Sequence, residues 1–426
     1  MRLIIACVVA ITLSFHTSGQ TPTTNLLVKD GQTVAFMGDS ITGMGWGVSG
    51  GFVHLAVDGL AANGVKITPI PAGVGGNRSV EMLKRVDADV ISKKPDWLLL
   101  SCGVNDVWSR TIDLDTFKKN MTEIVDKVQA AGIKVMILPP TPIYEGSKNE
   151  FNDKLGGYVD FMKQLAKERN LPCADIHQAW LDYIAAQAQP DNGNLVTVDG
   201  VHPNPDGHLL FAKTILSAFG ATPDQLATAE KAWHAAPVNG AVLNDFGFHS
   251  PIPVTADELA ALNKMAADQK IDLNRLVHTA SIETSRELLQ TADLSKIYCW
   301  DLNKQFGTGV KAKLDALTNT PTGAATTTTL PKEAESGFRV SVPVPLSEWD
   351  ALKKAAAARK MLLSRLLSMT YMQTVRDLLI AQGDLSKTWS DDISGRSIPV
   401  FKAKLEAIAT QDGGWTAPPA TTPASN

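Results

Sequence analysis

Cysteine is scarce in this sequence, which has 4 cysteines in 426 residues. Cys7 lies in an apolar run near the N-terminus, whereas Cys102, Cys173 and Cys299 are far apart. Three widely spaced cysteines fit neither a disulfide framework nor a zinc-ligand pattern. We therefore expect them to be small buried hydrophobic side chains, and we expect no metal site.

A strong excess of charge is also missing. The 40 Lys and Arg residues face 44 Asp and Glu residues, and the formal net charge is −4. This balance gives no reason to expect a nucleic-acid or anionic-membrane partner. The apolar run at residues 3–15 is shorter than the roughly 20 residues that a membrane-spanning helix needs, and no later segment is apolar enough to cross a membrane. We therefore expect no transmembrane segment.

The N-terminus has the pattern of a targeting segment. Arg2 precedes the apolar run at 3–15, and small and polar residues follow at 17–20. A charged start, a short apolar stretch and a small-residue exit are typical of a cleaved secretory signal peptide. We predict a signal peptide at residues 1–19 and an extracytoplasmic location, secreted or periplasmic.

From residue 32 to residue 219, short apolar strands alternate with amphipathic helices. The predicted strands are 33–37, 66–70, 97–101, 134–138 and 173–176. The predicted helices include 52–63, 79–92, 114–131, 153–169 and 205–219. This alternation predicts an α/β domain at 30–220, in which helices cover both faces of a parallel sheet. Functional residues of such domains gather at the carboxyl ends of the strands.

The second half of the chain contains an internal repeat. Residues from Phe248 match residues from Phe338 at a spacing of 90, which becomes 91 after one inserted residue. So many matches in register indicate a duplication. We predict a mostly α-helical duplicated domain, preceded by a linker. Its predicted parts are the linker at 221–245, copies at 246–317 and 337–410, a second linker at 318–336 and a disordered tail at 411–426.

Each copy is predicted to form a short strand followed by two helices, an order that resembles the ribbon-helix-helix unit. In that family two copies pair their strands and read DNA. Here Pro251, Pro253, Pro343 and Pro345 lie at the strand ends, where proline cannot donate to a strand ladder. We therefore favour a structural or surface-binding module over a DNA reader, with copies that pair with each other or bind a surface partner.

Gly38-Asp39-Ser40 follows the first predicted strand. A serine at the carboxyl end of that strand lies where a parallel α/β sheet opens its ligand crevice. Its hydroxyl is a weak nucleophile unless a base activates it. The alternative is a serine that caps a helix or stabilises a turn.

Asp199 and His202 lie after the last predicted strand. A carboxylate three residues before an imidazole can fix the ring's orientation and stabilise its protonated form. Half of a metal site is an alternative, but no HxxxH motif or Cys/His cluster accompanies the pair, and we disfavour it.

Two further segments follow the second and third strands. The glycine-rich segment at 73–77 can present a backbone N–H to a ligand, and Asn105 in the segment 103–106 offers a side-chain amide. Together a backbone donor and an amide donor make an oxyanion hole.

The four segments, in this order and each at a strand end, resemble the motif blocks of the SGNH/GDSL hydrolases. The resemblance covers residues 30–220 and implies a flavodoxin-like, three-layer fold and ester hydrolysis without a cofactor. It also implies that Ser40, Asp199 and His202 form a catalytic triad. The Ser40 N–H, the Gly76 N–H and the Asn105 amide would then bind the oxyanion. Ile41 departs from the leucine of the literal GDSL signature.

Two other motifs overlap near residue 47. The segment 47–51 fits GxSxG and the segment 45–50 fits GxGxxG. The first motif needs a strand directly before it, and the residues 41–46 are predicted to be a loop. The second begins well past the strand end and lacks the acidic residue that holds a ribose. We interpret both as coincidental.

Trp46 and Trp108 lie just beyond two of the motif blocks, and aromatic side chains suit the faces of sugar rings. Either tryptophan could instead be a packing residue. Both are candidates for substrate binding, as is Arg78.

We therefore expect an exported serine esterase that hydrolyses acyl esters, acetyl esters of carbohydrate in particular. Two alternatives remain. One is a lysophospholipase or thioesterase of the same family. The other is a non-catalytic surface-binding protein with a vestigial hydrolase domain.

Overall fold

The computed structural model describes most of the chain, in ten segments. These are residues 25–109, 111–187, 194–235, 241–246, 253–254, 256–296, 299–318, 328–329, 340–381 and 390–410. The predicted signal peptide at 1–19 and the predicted tail at 411–426 lie outside the described residues.

Apolar runs form the central sheet of the N-terminal half. Its strands within the described residues are β1 (Thr33–Gly38), β2 (Thr68–Gly73), β3 (Trp97–Ser101) and β4 (Lys134–Leu138). They are all parallel and lie in the order β2-β1-β3-β4. This is the flavodoxin-like order. β1, β3 and β4 are buried along almost their whole length, which requires helices on both faces.

The fifth predicted strand, at 173–176, is wrong. Within this segment only Cys173 pairs with the sheet, through a parallel bridge to Ile137 of β4. The chain then turns because Asp175 caps a helix, its carboxylate accepting a hydrogen bond from the Gln178 N–H at 3.1 Å. The segment therefore lies at the edge of the sheet beside β4, as expected for a fifth strand, but the residues from Ile176 onward form a helix instead of a strand.

Nine α-helices accompany the sheet in the described segments up to residue 235. They are α1 (Ser40–Gly47), α2 (Phe52–Ala62), α3 (Ser79–Asp89), α4 (Val104–Trp108), α5 (Leu114–Ala130), α6 (Glu150–Glu168), α7 (Ile176–Ala186), α8 (Pro205–Ala218) and α9 (Pro223–Ala235). One group packs α2 with α8 and α9, and another packs α5 with α3 and α6. This is the predicted three-layer α/β fold.

The N-terminal unit extends further than predicted, because α9 packs on α2. Trp233 is only 3% exposed, and its indole N–H donates to the Leu55 carbonyl at 2.8 Å. Its ring lies against Gly59, where a Cβ would approach to 2.9 Å. The segment 223–235 therefore belongs to the core of this unit, although its sequence resembles a linker.

The C-terminal half is rich in helix, as predicted. Its described helices are α10 (Ala256–Asp268), α11 (Leu273–Thr291), α12 (Cys299–Thr318), α13 (Leu346–Ala358), α14 (Leu363–Ala381) and α15 (Ser390–Thr410). Each predicted copy therefore spans three described helices, and the prediction of two helices missed α12 and α15. Buried side chains of both copies form one hydrophobic cluster, in which α11 contacts α14.

The strands pair differently from those of a ribbon-helix-helix unit, in which the strand of one copy pairs with the strand of the other. β5 (Ala241–Phe246) pairs with β8 (Val340–Val344), and β6 (Pro253–Val254) pairs with β7 (Thr328–Thr329), both antiparallel. In the described residues, the strand before the first helix of each copy thus pairs with the segment that precedes the other copy. Pro253 and Pro343 leave fewer donors for the ribbon-helix-helix pairing.

The second copy contacts the N-terminal unit through α13. The Trp349 indole N–H and the Lys353 ammonium donate to the two carboxylate oxygens of Asp206, at 3.0 Å and 2.7 Å. His234 lies 3.2 Å from the carboxylate of Asp350. Leu346 is buried in the hydrophobic cluster of the N-terminal unit. Over the described ranges, every helix falls short of the length and apolarity that crossing a membrane demands.

Candidate active site

Ser40 is the first residue of α1, directly after β1. The helix begins there because the buried Asp39 caps it, its carboxylate accepting a hydrogen bond from the Ile41 N–H at 2.9 Å. The expected loop at 41–46 is therefore wrong, since those residues are helical. The serine sits at a helix N-terminus at the carboxyl edge of the sheet, where the backbone N–H groups point toward a ligand.

His202 connects Ser40 with Asp199. Its Nε2 atom lies 2.9 Å from the Ser40 Oγ atom, and its Nδ1 atom lies 2.7 Å from an Asp199 carboxylate oxygen. When Nδ1 carries the ring hydrogen and donates a hydrogen bond to Asp199, Nε2 carries no hydrogen and accepts a hydrogen bond from the Ser40 hydroxyl. The structure thus brings the three residues together in one hydrogen-bonded chain.

Asp199 also accepts hydrogen bonds from the backbone that follows it in the chain. Its other carboxylate oxygen accepts the N–H groups of Val201 at 2.9 Å and His202 at 2.8 Å. Burial raises the pKa of Asp199, but the hydrogen bond and charge of His202, together with these N–H groups, outweigh burial and lower the pKa below its ordinary value. Asp199 is therefore held as an oriented carboxylate.

The glycine-rich segment passes beside Ser40. A Cβ on Gly75 would lie 3.9 Å from the Ser40 Cβ, and a Cβ on Gly73 would come within 2.3 Å of the Gly43 backbone nitrogen. Gly76 has a φ of +74°, in the left-handed region that glycine adopts without strain. Gly73 therefore lacks room for a side chain and Gly76 has a φ that favours glycine, while the backbone at Gly75 passes next to Ser40.

Asn105 lies in α4, after β3. Its side-chain amide donates to the Asn77 carbonyl at 3.1 Å, which fixes the amide against the end of the glycine-rich segment. The amide nitrogen has two hydrogens, and this bond uses one of them. Since β3 lies next to β1, Asn105 and Ser40 share one edge of the sheet.

Asp106 joins α4 to α3. It is buried and accepts hydrogen bonds from the Ser79 N–H at 3.0 Å, the Ser79 hydroxyl at 2.6 Å and the Cys102 thiol at 3.4 Å. Burial raises the pKa of the Asp106 carboxyl and raises that of the Cys102 thiol well above its usual range. Cys102 is therefore a buried thiol, as predicted, while Cys173 is partly exposed.

Arg85 is a site neighbour that the sequence did not indicate. Its guanidinium donates to the Asn77 side chain at 2.6 Å and to the Gly38 carbonyl at 2.9 Å, and it pairs with Asp89 at 2.9 Å. It ties the end of β1 to the glycine-rich segment. In sequence it is one more basic residue of an amphipathic helix.

The three substrate-binding candidates have different surroundings. Trp46 and Trp108 are each 37% exposed, and the ring of Trp46 stacks on His54 with centroids 4.4 Å apart. The Arg78 guanidinium is paired with Glu81 at 2.5 Å. Tyr144 is more exposed, at 49%, and its ring lies against Gly200. In sequence, Gly200 lies between Asp199 and His202, the two candidate partners of Ser40. Tyr144 was not predicted.

Two motifs lack the structural context that they need. α1 is a helix and occupies 40–47, so no strand directly precedes Ser49 of the GxSxG match, and the GxGxxG match falls at the end of the same helix. Within the described residues, no three His, Cys, Asp or Glu side chains lie close enough together to hold a metal ion.

Comparisons with known proteins agree with the motif blocks. Residues 36–210 match the model of the GDSL-like lipase/acylhydrolase family. An acetylxylan esterase of Geobacillus stearothermophilus is 26% identical over 221 residues, which is 45% of this chain and 96% of that protein. Esterase TesA of Pseudomonas aeruginosa is 31% identical over 108 residues, 25% of this chain and 53% of that protein.

A lipoprotein of Bacillus subtilis, YqeF, whose function is uncharacterised, is 23% identical over 162 residues, 32% of this chain and 67% of that protein. Among solved structures, the crystal structure of Axe2, an acetylxylan esterase from Geobacillus stearothermophilus, is similar at 25% identity. The match covers 46% of this chain and 98% of that one, with a TM-score of 0.42.

Proposed function

Because residues 36–210 of this chain are a domain of the GDSL-like lipase/acylhydrolase family, a family of carboxylic ester hydrolases, we propose that Ser40 is the nucleophile and that His202 and Asp199 complete its triad. The observation that carries this proposal is the continuous hydrogen-bonded chain from the Ser40 Oγ atom through the imidazole to the Asp199 carboxylate, at 2.9 Å and 2.7 Å.

His202 acts as the base and then as the acid. Its Nε2 atom takes the Ser40 proton while Oγ attacks the ester carbonyl, and Asp199 stabilises the imidazolium. The tetrahedral intermediate expels the alcohol, which receives that proton from Nε2. Water then attacks the acyl-enzyme, gives a proton to His202, and releases the acid as the proton returns to Ser40.

The oxyanion is stabilised by the Ser40 N–H, the Gly76 N–H and the Asn105 amide. The first belongs to the N-terminal turn of α1, where backbone N–H groups favour negative charge. The close passage of the glycine-rich segment supports the second, and the fixed orientation of the Asn105 amide supports the third. Such preorganised donors stabilise charge that develops only in the transition state.

The substrate is an acetyl ester of a carbohydrate. The similar protein from Geobacillus stearothermophilus bears the name acetylxylan esterase, and the exposed rings of Trp46, Trp108 and Tyr144 are suited to sugar faces. The protein acts outside the cytoplasm, since Arg2 and the apolar run at 3–15 match a signal peptide.

Substitution of Ser40 tests the proposal. Ser40→Ala should lower kcat on 4-nitrophenyl acetate by more than about 10³-fold, because one triad member cannot be replaced by the others. Ser49→Ala is the matched control and should retain full activity. Turnover of the Ser40 variant within about tenfold of the parent, or activity that EDTA abolishes and zinc restores, would refute serine catalysis.

The substrate class is tested by varying the ester. Release of acetate from acetylated xylan should exceed release of longer acids from matched esters. Rates that instead rise with acyl chain length would favour a lysophospholipase or thioesterase. A parent protein that hydrolyses none of these esters would favour the non-catalytic binding protein.

A further inference from the structure

Glu145 lies in a short 3₁₀ turn, Ile143–Gly146, which follows β4. Its carboxylate binds a segment that is about fifty residues away in sequence. One oxygen accepts the Leu195 N–H at 2.8 Å, and the other accepts the N–H groups of Val196 and Thr197, each at 2.8 Å. The Thr197 hydroxyl adds a fourth donor at 2.7 Å. Four donors that converge on one side chain match a carboxylate, which only accepts hydrogen bonds.

The same network continues to the residues around Asp199. The Thr197 hydroxyl oxygen accepts the Gly200 N–H at 3.1 Å, and the Val198 N–H donates to the His202 carbonyl at 2.9 Å. From the turn itself, the Tyr144 N–H donates to the Gly200 carbonyl at 2.7 Å. Asp199 thus lies in the loop at 195–200 and His202 lies two residues after it, so the positions of both depend on the bonds made by this turn.

The backbone of the turn supports the same interpretation. Tyr144 and Glu145 have φ values of +47° and +54°, a left-handed conformation that costs free energy in residues other than glycine. Two successive residues keep it only where other interactions outweigh the strain. The bonds from Glu145 and from the Tyr144 N–H are interactions of this kind, and both lead to the loop at 195–200.

Asn204 binds the loop from the other side. It uses its amide to donate to the Leu195 carbonyl at 2.9 Å and its backbone N–H to donate to the Val196 carbonyl at 3.0 Å. These bonds satisfy carbonyl groups, whereas Glu145 satisfies N–H groups. Asn204 is also the capping residue of α8, so it joins the loop to the helix that follows it in the chain. Glu145 instead connects the loop to the end of β4, in the sheet that carries Ser40.

On the basis of the proposed triad, we infer that Glu145 is a positioning residue for the reaction. Its carboxylate fixes the loop at 195–200 relative to the sheet, so that His202 meets Ser40 with the geometry that proton transfer needs. Displacement of a catalytic group by about 1 Å can lower a rate by about 10²-fold. The effect of Glu145 should therefore appear in the chemical step rather than in substrate binding.

Glu145→Gln tests this inference because the amide keeps the size but replaces one accepting oxygen by a donor, which faces N–H groups. We expect kcat on 4-nitrophenyl acetate to fall about 10²-fold with KM nearly unchanged. Inactivation by phenylmethylsulfonyl fluoride, which reports on Ser40 activation, should slow by a similar factor. The low-field proton resonance of the His202 Nδ1–H bonded to Asp199 should shift or broaden.

Two variants separate positioning from loss of stability. Glu145→Asp keeps the charge and should recover part of kcat, and it carries the test if the glutamine variant does not fold. Glu230→Gln removes a carboxylate paired with Lys213 at 2.8 Å elsewhere on the surface and should leave all three measurements unchanged.

The inference is overturned if Glu145→Gln lowers only Tm, with kcat, inactivation and the resonance as in the parent well below that temperature. It is equally overturned if KM rises while kcat stays constant. Failure of the proposed function is distinguishable, because Ser40→Ala would then remain active whatever the Glu145 variants do.

Discussion

Asp39 offers a quantitative test of the environment around the nucleophile. It is fully buried at the end of β1, and burial, partly offset by the Ile41 N–H and by the charge of His202, raises its pKa from 3.8 to about 6. A carboxyl whose pKa is higher in the folded protein than in the unfolded chain binds a proton more tightly when folded. Its contribution to the free energy of unfolding is therefore full below pH 4 and is lost as the pH rises toward 6.

The magnitude follows from the two pKa values. An interval of about two pH units, at about 1.4 kcal/mol for each, corresponds to about 3 kcal/mol. Asp39→Asn removes the titration but keeps an oxygen that can accept the Ile41 N–H, so the cap of α1 is retained. Relative to the parent, this variant should gain about 3 kcal/mol of stability between pH 4 and pH 7.

Urea unfolding of both proteins across this pH range measures the difference. The change of that difference with pH carries the test, because any constant effect of the new amide cancels. Asp113→Asn is a control that should show no trend in this range. Hydrogen bonds from Thr116 lower the pKa of this exposed capping carboxylate, so its stabilising effect is lost only below about pH 4, and the difference between this variant and the parent should stay nearly constant from pH 4 to pH 7. A difference between the parent and the Asp39→Asn variant that stays constant from pH 4 to pH 7 would refute the reasoning.

Two further predictions concern the oxyanion site and the domain boundary. Asn105→Ala should lower kcat by roughly 10²–10³-fold with little change in KM, as for other single oxyanion donors; a rise in KM alone would make Asn105 a binding residue. A chain ending at Ala235 should fold and hydrolyse 4-nitrophenyl acetate, whereas one ending at Phe219 should melt much lower, because loss of a buried tryptophan such as Trp233 alone costs about 3–5 kcal/mol. Equal melting temperatures would contradict the packing of α9.

The sequence predicted the location of the candidate triad because its signals are local and the fold is regular. Ser40 follows β1 and Asn105 follows β3, and carboxyl ends of neighbouring parallel strands meet at one edge of the sheet. Asp199 and His202 are linked by a three-residue spacing that a single loop satisfies. The motif order and the sheet order together were sufficient to predict that these residues converge.

Most of the parts that were missed depend on contacts between distant residues. The early end of the fifth strand is a local exception, because Asp175 lies two residues after Cys173 and is a helix-capping residue type that the strand prediction did not use. The segment 223–235 resembles a linker until Trp233 is seen to fill a space over Gly59. Glu145 has no sequence signal, since its four donors lie about fifty residues later in the chain.

The two copies that the sequence predicts in the C-terminal half differ at the positions of α13 that contact the N-terminal unit. The residues of α13 that make polar contacts with the N-terminal unit are Trp349, Asp350 and Lys353. At a spacing of 90 the first copy has Leu259, Ala260 and Asn263 at these positions.

None of these three side chains can reproduce the contacts of the second copy. A leucine has no indole N–H to give to Asp206, an alanine has no carboxylate for His234, and an asparagine lacks the length and charge of Lys353. Asn263 instead donates to the Leu259 carbonyl of its own helix at 2.9 Å. Since Asp206 lies four residues after His202, in the first turn of α8, the second predicted copy contacts the helix next to the candidate triad.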